Sequence, residues 1–113
     1  MSDASTEVSR RGDVAILTLH GRITESETRP VEKQLLDLCE EGVVKLVMDV
    51  SDVPLISSAG LGALMVAYKE GKTRGGFVRL VGAQPLVRQI LETTKLTKLF
   101  GLYDSIDEAL AAT

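Results

Sequence analysis

KLVMDVSDVPLISSAGLGALM, residues Lys45–Met65, changes character in its middle. With the two valines that precede it, the first half forms an apolar run, Val43–Val50, interrupted only by Lys45 and Asp49. Such runs suit a strand buried on both faces of a sheet with helices on each side. The second half sets Leu61, Leu64, Met65 and Tyr68 on one face of a helix. Between the halves stand Ser57, Ser58, Ala59 and Gly60, two hydroxyls and two small residues where a strand hands over to a helix.

The segments on either side extend the same alternation. The opening MSDAST reads as a flexible terminus, residues 1–6, with one domain expected over 7–113. Glu7–Arg10 and Val14–Leu19 read as two strands joined at Arg11-Gly12-Asp13, a hairpin. Pro30 fits the first turn of a helix, where its missing N–H costs nothing. Val31, Leu35, Leu38 and Cys39 then repeat on one helical face, and Gly42 marks the end. Downstream, Lys69, Glu70 and Lys72 form the wet side of the second helix, which Gly75-Gly76 stops before a strand at Phe77–Val81. Pro85 opens a third helix on which Leu86, Val87, Ile90 and Leu91 mark an apolar face. Leu96–Tyr103 reads as a short strand plus turn. Ser105-Ile106-Asp107-Glu108 is a capping box for a last helix, Ile106–Ala111. The order β-β-α-β-α-β-α-β-α predicts an α/β fold: a mainly parallel central sheet, an antiparallel edge hairpin, and four or five packed helices.

Composition narrows the function classes. At 113 residues the chain has the length of one compact domain that can bury a core without metal or disulfide support. The single Cys39 has no disulfide partner and no zinc-ligand spacing around it, which fits a reducing compartment. A polar start without the apolar core of a signal peptide, and no apolar run long enough to span a bilayer, predict a cytoplasmic protein not inserted in a membrane. A formal charge of −3 argues against nucleic-acid binding, which rests on neutralising phosphates. No cofactor motif is present: Gly60-Leu61-Gly62 falls short of a dinucleotide fingerprint, and no phosphate-binding loop of the Gly-Lys-Ser/Thr kind occurs. His20 lacks a nucleophile or ligand set. Asp49 and Asp52 read as strand-ending and turn-bonding residues, and Arg74, Arg79 and Arg88 as solvent-facing. No metal site and no catalytic residues are expected.

The serine junction admits two readings. One serine before a helix caps a free backbone N–H and contributes about 0.5–2 kcal/mol. Gly60 and Gly62 could equally serve close backbone packing, despite a helix penalty of about 1 kcal/mol each. Two adjacent hydroxyls exceed what one cap requires, however, and the small residues leave the helix start open to a phosphoryl donor. A phosphate there would meet free N–H donors and the positive end of the helix dipole. It would also add about −1.5 to −2 charge to any partner surface.

Asp49-Val50-Ser51, Val53, Ile56 and Ser57-Ser58-Ala59-Gly60-Leu61-Gly62 resemble the signature of STAS domains, specifically the bacterial anti-sigma factor antagonists, and the resemblance runs from the Glu7 hairpin to the final helix. It implies a STAS-like fold and a non-enzymatic protein that binds an anti-sigma factor of the serine-kinase type. It also implies that this kinase inactivates its antagonist by phosphorylating Ser58, with Ser57 the alternative acceptor, and that a serine phosphatase reverses the modification. The implied partner surface comprises Gly21, Thr24, Glu25, Ser57, Ser58, Ala59, Gly60, Leu61, Gly62 and Met65. Three positions depart from the family. Ser57 stands where the family commonly has Asp, Ala59 where it has a second serine, and Thr24 where it often has Asp. Those departures keep open a non-enzymatic STAS adaptor or scaffold in a chemosensory, stressosome or membrane-associated complex.

Overall fold

The apolar run becomes the middle strand of a sheet. A computed structural model describes the backbone of residues 5–22, 25–43 and 45–112, and their side chains except those of residues 5 and 25–28. Its elements are β1 (Ser5–Arg11), β2 (Val14–His20), α1 (Glu25–Glu40), β3 (Lys45–Asp52), α2 (Ser58–Thr73), β4 (Phe77–Val81), α3 (Pro85–Thr93), a 3-10 turn (Leu96–Lys98), β5 (Gly101–Tyr103) and α4 (Ile106–Ala111). The five strands lie in sequence order, β1-β2-β3-β4-β5. β1 and β2 are antiparallel, and β2 through β5 are parallel. This is the mixed sheet expected, with four helices packed on it.

Successive crossovers of one hand, each advancing the same way across the sheet, put the connecting helices on one face. There Val31, Leu35 and Leu38 of α1, Leu64 and Ala67 of α2, and Val87 and Leu91 of α3 bury against Leu17, Leu19, Met48 and Leu80. α4 covers part of the opposite face, where Ala109 packs on Ile16, Val47 and Val81. In β3, Leu46, Met48 and Val50 face the helix layer and Val47 faces α4. A strand covered on both sides has no wet face to alternate toward, hence the near-continuous apolar run.

Several boundaries move. β1 begins at Ser5, so Ser5 and Thr6 pair with His20 and Leu19 rather than belonging to a flexible end. α1 begins at Glu25, which puts Pro30 in its second turn and deletes one interior hydrogen bond there. β3 starts at Lys45 because the end of α1 holds Val43: with Gly42 at φ 92°, Val43 donates its N–H to the Leu38 carbonyl at 3.0 Å. That left-handed glycine closure satisfies the last carbonyls of the helix. Leu96–Tyr103 is a 3-10 turn followed by a strand of three residues. The arginine expectation fails at Arg79. Its guanidinium lies 3.7 Å from the centre of the Phe77 ring and donates to the Ala109 carbonyl at 2.8 Å, clamping the end of α4 to the sheet.

Candidate functional site

The two serines divide the work at the start of α2. Ser57 is the N-cap: its backbone is extended (φ −85°, ψ 171°), and its Oγ accepts the Gly60 N–H at 3.2 Å. Its carbonyl accepts the Leu61 N–H at 2.9 Å, the first turn of the helix. The capping reading therefore holds for Ser57, which is half-buried. Ser58 is the first helical residue and is exposed, as is Ala59 beside it, while Gly60 is buried. The helix supplies no acceptor for the N–H groups of its first residues, and the first turn of α2 contains no acid. An anion on Ser58 thus enters a region of positive potential that no carboxylate of that turn offsets.

Gly62 lies one turn after Ser58 and is exposed; a Cβ built there meets nothing within 4 Å. Close packing is therefore not its role. Leu61 and Met65 are half-buried against the core, and Val66 is 39% exposed. Tyr68 packs inward, its ring edge-on to Phe100 at 5.6 Å. Ser58, Gly62, Met65, Lys69 and Lys72 consequently lie along one outward stripe of the helix.

The loop after β2 leaves the sheet on the same rim, since β2 and β3 are parallel. Between Thr18 and His20 the pairing shifts by one residue, so that His20 sits opposite Asp52 rather than Ser51. This bulge allows His20 Nδ1 to meet Asp52 Oδ2 at 2.8 Å, with Glu7 of β1 3.7 Å from Nε2. The bond to Asp52 raises the His20 pKa above its ordinary value of 6.5, with the Glu7 charge adding to the effect against a desolvation that lowers it. Asp52 also accepts the Gly21 N–H through its backbone carbonyl at 3.0 Å, and Gly21 takes φ 85°, a turn conformation that suits glycine. Gly21 is thus fixed to the strand that leads to Ser57. Glu25 is the first residue of α1; its side chain and Thr24 lie outside the described residues.

Asp49 behaves as a strand-end acceptor, taking the Ser51 N–H at 3.0 Å and the Ser51 hydroxyl at 2.7 Å. Among the described residues, no group of three or more His, Cys, Asp or Glu is placed to hold a metal ion. None of their helices is long and apolar enough to cross a membrane. Two parts of the site escaped the sequence reading. The His20–Asp52 contact depends on a bulge that no local pattern announces. An apolar groove of about 350 Å³ along Met65, Val66, Tyr68, Lys69, Lys72 and Thr73 appears only once the helix is seated. In the sequence, Met65, Val66 and Ala63 stand as residues that could be partly exposed and form interface contacts, but period alone does not join them into a groove.

The arrangement has counterparts. The profile of the STAS domain matches residues 5–109. A Thermotoga neapolitana protein provisionally named an anti-sigma factor antagonist is 31% identical over 99 residues, 87% of this chain and 88% of its own. A crystal structure from Thermotoga maritima, under the same provisional name, superposes with a TM-score of 0.89 at 28% identity, covering 93% of this chain and 91% of the other. The structure of an anti-sigma factor antagonist from Mycobacterium paratuberculosis superposes with a TM-score of 0.86 at 27% identity, over 95% and 91% of the two chains.

Proposed function

Because this chain belongs to the STAS domain family, we propose that it is an anti-sigma factor antagonist, a cytoplasmic binding protein that captures an anti-sigma factor of the serine-kinase type and thereby frees a sigma factor. Phosphorylation of Ser58 by that kinase inactivates it, and a serine phosphatase restores it. The protein is the phosphoacceptor and performs no catalysis itself. One observation carries the choice of acceptor. Ser57 is half-buried and its hydroxyl caps Gly60, whereas Ser58 is exposed at the first helical position. Proteins named as antagonists among its relatives support the partner class.

In the working cycle the start of α2 and the Gly21 turn form the docking rim. A dianionic phosphate on Ser58 leaves the helix intact, because it adds negative charge to a positive helix end, yet blocks docking by charge and bulk. Incubation with ATP and a kinase-type anti-sigma factor encoded beside this protein's gene, followed by peptide mass mapping, tests the site. Phosphate on Ser58, lost in Ser58→Ala and retained in Ser57→Ala, is the expected result. Phosphate found only elsewhere refutes the acceptor, and equal partner affinity for the native and phospho-Ser58 forms refutes the switch. The adaptor reading is favoured by Ser57 and Ala59 standing where the family commonly has Asp and Ser. Affinity capture that recovers a transport or scaffold complex and no anti-sigma factor would move the assignment there.

A further inference from the structure

The helix layer carries a second surface, away from the Ser58 turn, that meets the Ser58 stripe at Met65, Lys69 and Lys72. Leu36 of α1 is 40% exposed and Val66 of α2 is 39% exposed. Cys39 shares a small interior gap with Ala67 and Gly71, so the Cys39 side of α1 faces α2. Leu36 lies one turn before Cys39 and somewhat outward of it. On α2, Arg74 donates to the Cys39 carbonyl at 2.7 Å, so the stripe Val66, Glu70, Arg74 runs along the α1 side. Leu36 and Val66 therefore flank the outer lip of one seam, and from Val66 the apolar groove continues across α2.

Toward the C-terminal ends of α1 and α2 the unpaired charges around this seam are divided by helix. Lys33 pairs with Asp37 within α1, and Glu70 pairs with Arg74 at the end of α2. Among the described residues that leaves Arg29, Glu32 and Glu40 on α1, and Lys69 and Lys72 on α2, without ion-pair partners, with Arg29 in the half of α1 away from Glu40. Each helix is 16 residues long and follows the end of adjacent parallel strands, so Glu40 and Lys72 both fall in last turns at similar height.

We propose that this α1–α2 face is a self-association surface whose occupant is a second copy of the chain, with α1 of one copy lying over α2 of the other. A two-fold axis running along the seam joins Leu36 and Val66 of both copies into one apolar centre. It sets the carboxylates of each α1 over the lysines of the facing α2, twice over. An axis across the helices, with α1 on α1 and α2 on α2, opposes like charges instead and is disfavoured.

Sedimentation of the full chain from micromolar to millimolar concentration tests this. The expected result is a concentration-dependent dimer that weakens with salt. Val66→Glu abolishes it. Lys72→Glu and Glu40→Lys each weaken it about tenfold or more. Combining both reversals in one chain, or mixing the two single variants, restores it. All three positions reach solvent, and unchanged thermal unfolding of each monomer verifies that the fold is retained. A monomer at every concentration overturns the proposal and leaves the face to a different protein. A dimer indifferent to all three substitutions overturns it too, by placing the contact elsewhere. Single reversals that weaken the dimer without rescue by the double variant overturn the α1-over-α2 arrangement.

Discussion

Two helices of this protein begin with a capping serine, and their first turns are built differently. At α4, Ser105 accepts the Glu108 N–H at 3.1 Å, and Glu108 reaches back to the Asp104 N–H at 3.3 Å. Asp107 and Glu108 fill the first turn, so the helix end is already neutralised by its own side chains. At α2, Ser57 makes the equivalent bond to Gly60 at 3.2 Å, but the first turn holds no acid and offers an exposed hydroxyl, Ser58. α4 has the composition of a helix start that only has to be stable. α2 has no carboxylate at its positive end, which costs stability and would favour an anion placed on Ser58.

Placing the anion there is the strongest way to sharpen the contrast. Phospho-Ser58 is expected to lower affinity for the anti-sigma factor by about 2–5 kcal/mol, the scale of an unpaired charge driven into an interface, measured by calorimetry. Its unfolding free energy should stay level or rise by less than about 1 kcal/mol, because the charge meets the helix dipole favourably. A phospho-protein that unfolds at markedly lower denaturant would show that Ser58 is packed, and the contrast with α4 would collapse.

The caps themselves supply the next test. Ser57→Ala and Ser105→Ala should each destabilise by about 1 kcal/mol in urea unfolding, since each strands one backbone N–H. Only Ser57→Ala should alter the rate of phosphorylation at Ser58, by loosening the turn that presents it. Ser57→Asp should keep the cap and slow phosphorylation, by setting a carboxylate beside the incoming phosphate. Equal effects of Ser57→Ala and Ser105→Ala on that rate would erase the distinction between a structural and a functional serine.

The contrast was partly legible in the sequence. The capping box of α4 and the strand-to-helix change around Ser57 are local patterns, so element order, sheet type and both helix starts could be read directly. The hydroxyl pair could not be divided from sequence, because N-cap and first helical position differ by one residue and only backbone geometry assigns them. Arg79 was misread for another reason. Its partners Phe77 and Ala109 come from β4 and α4, and a charged residue in a strand gives no sign that its guanidinium covers a ring and ties down a helix end. Proline is best tolerated in a first turn, but α1 extends five residues upstream of Pro30. The His20 contact required a bulge, a property of two paired strands rather than of either one.

Gly62 gives an effect of similar size with opposite signs in two assays. Because a Cβ at this position meets nothing within 4 Å, Gly62→Ala should stabilise the protein by about 1 kcal/mol through helix propensity alone. If the Ser58 stripe is the docking face, the same methyl should weaken anti-sigma factor binding, so that stability and affinity move apart. A gain in stability with unchanged affinity would place the partner away from this turn and reduce the exposed start of α2 to the plainer role that α4 illustrates.

The smallest expected effect concerns the rim that the α2 start shares with the Gly21 turn. His20 gains a partner on folding, so its folded pKa lies above the unfolded value of about 6.5. The stabilisation from its bond to Asp52 is therefore fully present below the unfolded pKa and is lost as pH rises through the folded one. Urea midpoints collected from mildly acidic to mildly alkaline pH should fall across that window in the native protein and stay flatter in His20→Gln. Both carboxylates near the ring, Asp52 and Glu7, are largely exposed, so the slope is shallow. Ser105→Ala should leave the slope untouched, because Ser105 caps α4 through Glu108 and touches neither His20 nor its carboxylate partners. A slope that survives in His20→Gln would detach the titration from this rim and return it to the rest of the fold.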